Sequence, residues 1–148
     1  MFIHGPARVL FADDDPVLCA MAEEKLADAG YHVTVAVDGF DAWRRLEQDL
    51  FHIVLLDLSM PRMDGFDVLT RMRQSPIHRE RPVIVVTGRD DIFAIDEAYE
   101  RGATSFVIKP LNWPVFTRQV RFVLRASELE RKVQTARSIL GCDDPQLV

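Results

Sequence analysis

Apolar residues arrive in short blocks separated by polar punctuation, and two kinds of block alternate along the chain. Arg8 to Ala12 is a compact apolar run ending abruptly in Asp13-Asp14-Asp15-Pro16, which predicts a buried strand, a turn and a helix with proline in its first turn. That helix runs to about Ala29 with Val17, Leu18, Met21 and Leu26 on its apolar side, and Gly30 stops it. Tyr31 to Val37 predicts a β-branched strand. Asp38-Gly39 then turns the chain into a second helix, about Phe40 to Asp49, burying Ala42, Trp43 and Leu46. The four apolar residues Ile53 to Leu56 suit a strand buried on both faces, and Pro61 with Gly65 ends it soon afterwards. A third helix reaches about Gln74, and Val83 to Val86 forms the next strand. A fourth helix is capped by Asp90 and Asp91 and stopped by Gly102, Ser105 to Ile108 is the fifth strand, and Asn112 caps the last helix. Strands alternating five times with helices predict a parallel α/β sheet covered on both faces. No internal repeat or low-complexity segment interrupts the series.

This pattern places chemistry. Asp13, Asp14, Asp57, Thr87 and Lys109 all fall at the carboxyl ends of strands, and a doubly wound sheet gathers such positions at one edge. Each alone has a plainer role: an aspartate before a loop caps a helix, as Asp15 is expected to do, and a lone lysine is a solvated charge. Together, three carboxylates repel one another and require a cation or a lysine beside them. Oxygen-only ligands without nearby His or Cys select a hard ion, and Mg²⁺ is favoured where a phosphate completes its shell. A carboxylate can also accept a phosphoryl group as an acyl phosphate, which makes Asp57 a candidate nucleophile.

Composition narrows the setting. The 148 residues, 48% hydrophobic and 28% charged, fit one globular domain with room for an extension. A net charge of -5 argues against a dedicated nucleic-acid surface. Cys19 and Cys142 lack the spacing of a zinc site or disulfide framework, no apolar run reaches the length of a membrane span, and Met1 to Pro6 has no signal-peptide pattern. A cytoplasmic protein without membrane contact is the expectation.

Four stretches together are recognisable: Val-Leu-Phe-Ala-Asp13-Asp14-Asp15-Pro, Leu-Leu-Asp57-Leu-Ser-Met-Pro61-Arg-Met-Asp64-Gly65, Val-Val-Thr87-Gly88 and Phe106-Val-Ile-Lys109-Pro110. In order and spacing they resemble the receiver domain of two-component response regulators, over about Arg8 to Ala126. The resemblance implies a flavodoxin-like, doubly wound, five-stranded parallel sheet of order 2-1-3-4-5. It implies that Asp13, Asp14, Asp57 and the backbone carbonyl of Ser59 bind Mg²⁺. It implies that Asp57 accepts a phosphoryl group from a sensor histidine kinase or phosphotransfer protein, with Thr87 and Lys109 holding the phosphoryl oxygens. Phe106 becomes the aromatic switch that turns inward as Thr87 moves. It departs from the tyrosine of many relatives, so it switches by packing alone. The resemblance implies a cis Lys109-Pro110 peptide, against trans as the commoner default for any X-Pro bond. The stretch Ala98 to Phe106 and the segment after Lys109 look like receivers fused to diguanylate cyclase modules, although this chain carries no cyclase residues.

The last helix carries two apolar faces. Trp113, Phe116, Val120, Val123 and Leu124 share one side and should pack on the sheet. Phe122, Ala126, Leu129, Val133, Ala136 and Leu140 repeat at spacings of four and three about 150° away. This second series predicts a parallel coiled-coil linker pairing two protomers and leading to an output domain, against the plainer alternative of a frayed tail. The expected division is a receiver over residues 1–126 and a C-terminal helical extension over 127–148. A basic stripe of Arg118, Arg121, Arg125 and Lys132 is either solvated and partly paired with Glu128 or meets Asp90, Asp91, Asp96, Glu97 and Glu100 of the fourth helix in a symmetric dimer. Such a homodimer would use the fourth helix, the fifth strand and the last helix. Two other functions compete with the dimerising receiver. One is a stand-alone receiver acting by protein-protein binding. The other is a small Mg-dependent aspartyl-phosphate phosphohydrolase, which is weakened because its general acid would stand two residues after the nucleophile, where this chain has Ser59.

Overall fold

The computed structural model describes residues 5–141. The chain runs β1 (Arg8–Ala12), α1 (Pro16–Asp28), β2 (His32–Ala36), α2 (Gly39–Gln48), β3 (Ile53–Leu56) and α3 (Gly65–Gln74), then β4 (Val83–Thr87), α4 (Ile92–Glu100), β5 (Ser105–Ile108) and α5 (Trp113–Leu140). Every strand pair is parallel and the sheet order is β2-β1-β3-β4-β5. The expected flavodoxin-like, doubly wound topology is therefore present. Residues 142–148 of the expected extension, Cys142 among them, lie outside the described residues, as do the first four residues of the Met1 to Pro6 segment.

Side chains of one strand feed opposite faces, as the pleat requires. Val9 and Phe11 of β1 and Ile53 and Leu55 of β3 join Cys19, Ala22 and Leu26 of α1 and Phe116, Val120 and Leu124 of α5 in one cluster. Their alternates Leu10, Ala12, Val54 and Leu56 pack with Leu46 of α2 and Val68, Leu69 and Met72 of α3 on the other face. A smaller cluster of Leu58, Phe66, Val85, Ala94 and Ala98 seats α4, with Phe106 half-buried against it. Asp15, Asp38, Asp64, Asp91 and Asn112 each accept hydrogen bonds from backbone N–H groups in the first turns of the helices they precede. Asp90 is not the cap of α4.

The buried side of α1 matches the expected one at Leu26 and, half-buried, at Leu18, and departs from it at Val17 and Met21. Val17 is 68% and Met21 39% exposed, whereas Cys19, Ala22 and Leu26 are buried. This helix is apolar around much of its circumference, so periodicity does not fix its phase, and the small side chains at 19 and 22 let it lie close to the sheet. Trp43 is only half-buried, edge-on to His78 at 6.2 Å between ring centroids. The sheet-facing side of α5 is as predicted, with Trp113, Phe116, Val120, Val123 and Leu124 buried. The helix continues without a break to Leu140, and Gly141, at φ 71°, closes it in the left-handed region. Among the described residues no helix is long and apolar enough to cross a membrane.

Candidate functional site

The register sets the site. Ala12, Leu56 and Val85 pair across β1, β3 and β4, and Thr87 pairs with Ile108 at the end of β5, so the residues just after each strand meet along one edge. Asp13 and Asp57 are drawn in by the backbone, since Asp13 N–H donates to the Ala36 carbonyl at 3.0 Å and Asp57 N–H to the Ala12 carbonyl at 3.0 Å. Both are buried, whereas Asp14 is exposed. Carboxylate oxygens of Asp13, Asp14 and Asp57 lie within 4.8 Å of one another. The Lys109 ammonium donates to Asp13 Oδ2 at 2.6 Å and to Asp57 Oδ2 at 3.2 Å.

One ammonium against three carboxylates leaves the cluster negative. Burial pushes the Asp13 carboxyl above the usual carboxylate range, a rise that its Lys109 and Asp15 N–H hydrogen bonds moderate and the neighbouring Asp57 charge adds to. Burial works against the charged form of Lys109, but its hydrogen bond to Asp13 and the Asp57 charge outweigh burial and hold the ammonium above its ordinary range. The donor set is oxygen only, converges on one point and carries excess negative charge, which fits a hard divalent cation. Ser59 is exposed, and its N–H donates to Asp57 Oδ1 at 3.3 Å.

Thr87 is buried at the last position of β4, its hydroxyl oxygen accepting from Arg89 N–H at 3.4 Å. Gly88 is open, since a Cβ there would meet nothing within 4 Å. Lys109 is half-buried behind the strand end, and the Lys109-Pro110 peptide is cis. Phe106 lies in β5, two strands away from β3 and its Asp57, packed toward α4 rather than among the carboxylates.

Two supports of the site are not legible as such in the sequence. Asp38, in the loop before α2, is buried and receives Arg62 Nε–H at 2.9 Å from the loop after β3, tying together two loops at this edge. Arg62 adopts φ 68°, uncommon for a residue with a side chain, and its guanidinium lies over the Phe40 ring. Gly65, expected only as a turn residue, packs so closely that a Cβ would overlap the Asp57 carbonyl oxygen. An Asp-Gly pair reports a turn, but not what passes beside it.

The basic stripe of α5 divides. Arg121 lies beside Tyr31 on the α1 side, lining with Leu124 and Arg125 a groove of about 590 Å³. Arg118 lies on the β5 side with Val115 and Phe122. On α4, Asp91 is engaged by its cap and by Arg89, and Glu97 by Arg101 at 2.9 Å.

Residues 9–121 match the family model of the response regulator receiver domain. The chain is 33% identical over 125 residues to the transcriptional regulatory protein AfsQ1 of Streptomyces coelicolor, covering 84% of this chain and 54% of that protein. It is 34% identical over 135 residues to the response regulator PleD of Caulobacter vibrioides, covering 88% of this chain and 30% of PleD. It thus spans about half or less of the length of these relatives. Among solved structures it resembles the Vibrio cholerae chemotaxis protein CheY4, with a TM-score of 0.77, 28% identity and coverage of 80% of this chain and 99% of CheY4.

Proposed function

The chain belongs to the response regulator receiver domain family of two-component signalling, and from that premise we propose that Asp57 is its phosphoacceptor. The observation that carries this reading is the Lys109 ammonium shared between Asp13 and Asp57, with Asp14 completing an oxygen-only cluster at the strand ends. Asp13, Asp14, Asp57 and the Ser59 carbonyl would hold Mg²⁺, which when bound offsets the charge of the incoming phosphoryl oxygens. A carboxylate oxygen of Asp57 forms a bond to the phosphorus of a phosphohistidine on a sensor kinase or phosphotransfer protein. The phosphorus–nitrogen bond breaks, and the departing imidazole keeps the electron pair and takes a proton. Lys109 and the Thr87 hydroxyl are placed to hold oxygens of the transferred group, and the open space at Gly88 leaves its approach clear.

The same residues supply the switch. A phosphoryl group shifts a two-state equilibrium only through contacts that differ between the states, and the Thr87 hydroxyl and Lys109 provide that difference. Phe106, half-buried beside α4, is the ring that repacks, altering the face made by α4, β5 and α5 where two copies would pair. The domain is an acceptor that assists only its own phosphorylation and dephosphorylation; Ser59 offers no general acid for a phosphohydrolase. We take the chain up to residue 126 as the receiver and the part of α5 beyond it, described to Leu140, as an extension toward an output domain, in the cytoplasm.

Acetyl phosphate with Mg²⁺ tests the assignment by intact mass. One added phosphoryl group in the parent and none in Asp57→Asn is expected; equal labelling of both would refute it.

A further inference from the structure

The amino ends of the strands lie opposite the carboxylates, and there the loop from α3 to β4 passes beside α5. Arg73, Arg79, Glu80, Arg81, Ser127 and Glu130 line a cleft of about 220 Å³ between them. Its wall is fixed by backbone. The half-buried Arg73 guanidinium donates twice to the Gly102 carbonyl, at 2.9 and 2.7 Å, and also to the Arg79 carbonyl at 3.1 Å and the Arg81 carbonyl at 2.8 Å. No carboxylate pairs with it, so its charge stays in the wall. Arg79 N–H donates to the Ser75 carbonyl at 2.9 Å and Arg81 N–H to the His78 carbonyl at 3.0 Å. The loop that presents residues 79–81 is therefore held in place before anything binds.

The side chains it presents have nothing to hold. Among the described residues, neither the Arg79 nor the Arg81 guanidinium has a hydrogen bond or a carboxylate at ion-pair distance. Arg81 is half-buried, and burial together with the neighbouring Arg131 charge keeps it below the ordinary arginine range, a shift that Glu80 only moderates. Across the cleft on α5 the half-buried Ser127 hydroxyl also lacks a hydrogen-bond partner. Thr117 and Thr135 of the same helix instead donate back to the Pro114 and Arg131 carbonyls. Two unpaired guanidinium forks and a hydroxyl, beside a third cation that only carbonyls surround, make a receptor for an oxyanion. Such forks match phosphate oxygens two at a time. The cleft is smaller than the roughly 300 Å³ at which pockets for drug-sized molecules begin, so the occupant is small. Glu80 and Glu130 are exposed at the rim, and their charge weakens what the arginines supply.

We propose that this cleft binds a small phosphate-bearing anion, free phosphate or a phosphomonoester, held by Arg79, Arg81 and the Ser127 hydroxyl. Ser127 stands nearly one turn past Leu124, the last residue that α5 buries. The anion thus ties the loop from α3 to β4 to the helix where that helix leaves the domain, and steadies the base of the extension from the end of the sheet away from Asp57. The site does not rest on Asp57 accepting a phosphoryl group, and it is read with Mg²⁺ withheld.

An amide NMR titration of the whole chain with inorganic phosphate, in chelator and at physiological ionic strength, tests it. Shifts centred on Arg81, Thr104 and Ser127 should saturate. Arg81→Gln should weaken binding at least about tenfold and Ser127→Ala about threefold. Glu130→Gln should tighten it about two- to fivefold. Arg118→Gln, which removes a cation on the β5 side of the same helix, should leave it unchanged. The Arg81 and Ser127 side chains make no hydrogen bond that the fold uses, so both variants should keep the parent's spectral dispersion. Glycerol phosphate binding more tightly than inorganic phosphate would identify a phosphomonoester as the occupant, and equal or weaker binding would identify free phosphate. Shifts that grow without saturating, that survive both Arg81→Gln and Ser127→Ala, or that acetate reproduces in full would overturn the proposal.

Discussion

Replacing Lys109 by methionine removes the ammonium held among Asp13, Asp14 and Asp57 while keeping much of the aliphatic stem. At an effective dielectric of about 20 the attraction across 2.6 Å to Asp13 is about 6 kcal/mol, and across 3.2 Å to Asp57 about 5 kcal/mol. Desolvation of the three groups offsets most of that, and deleting one partner of a buried pair generally costs about 3–5 kcal/mol. Water reaches 24% of the Lys109 side chain and softens the loss, so about 2–3 kcal/mol is the expectation for the metal-free protein. For a domain of this size that lowers the melting temperature by about 6–12 °C. A divalent cation at the same carboxylates should restore much of it, so Mg²⁺ should stabilise Lys109→Met more than the parent. Thermal melts of both proteins in chelator and in millimolar Mg²⁺ measure this. A variant melting within roughly 2 °C of the parent in chelator, or an equal gain from Mg²⁺ in both, would show that Lys109 does not share these carboxylates.

Contacts at and around the site carry further expectations. Gly65→Ala should cost about 3 kcal/mol or more and slow acetyl phosphate labelling, because its Cβ would displace the Asp57 backbone; wild-type labelling by intact mass would contradict this. The Cys19 thiol, pushed up to about 11 by burial and the nearby Asp13 charge and donating to the Asp13 carbonyl, should alkylate at least about 100-fold more slowly than a free thiol at pH 8, as peptide mapping would show. His78 and His52 are both held below the ordinary imidazole range, first by burial, so the unfolded chain binds protons that the fold does not. Their contribution is therefore fully favourable above about pH 6.5 and declines as pH falls through that value, and His78→Gln should flatten part of this slope in melts from pH 7.5 to 5.5.

The alternation of strands and helices and the edge where their ends converge were legible because buried parallel strands are short apolar runs and each stops at a polar residue that cannot accompany them inward. Asp13, Asp57, Thr87 and Lys109 are such residues, and the structure brings them to one edge. What escaped was information carried by neighbours distant in sequence. The buried side of α1 depended on Cys19 and Ala22 fitting beneath α5 and the sheet, while Val17 and Met21, more hydrophobic to the eye, face outward. The tie between Asp38 and Arg62 spans 24 residues, and no periodicity marks it. His78 is similar: its Nε2–H donates to the Leu46 carbonyl at 2.9 Å across 32 residues, leaving Nδ1 buried without a hydrogen-bond partner. The basic stripe of α5 was legible as a solvated face, its four cations exposed and Lys132 paired with Glu128 at 3.8 Å. Helical spacing grouped its four cations correctly, but only packing shows that Arg121 leans to α1 and Arg118 to β5.

Where a phosphoryl group could be felt depends on where the sheet can yield. Every residue of β3 and β4 is buried, as are four of the five in β1, so movement there would open gaps in two close-packed faces at once. β5 is different: an edge strand with three half-buried residues and one exposed, paired to β4 alone. Thr87 and Lys109 stand at the ends of these two neighbours, one on the rigid side and one on the yielding side. On the proposed reading, a group gripping both would pull the yielding member and displace β5 and the helices on either side of it. Pro110, Leu111 and Asn112 lead straight from Lys109 into α5, so a shift at the strand end is passed along a helix that has no break before Leu140. The lever is long relative to the movement at its base. A change of a few degrees in α5 near Asn112 displaces its far end by several times what the same rotation does at Phe122, because displacement grows with distance along a 28-residue rod.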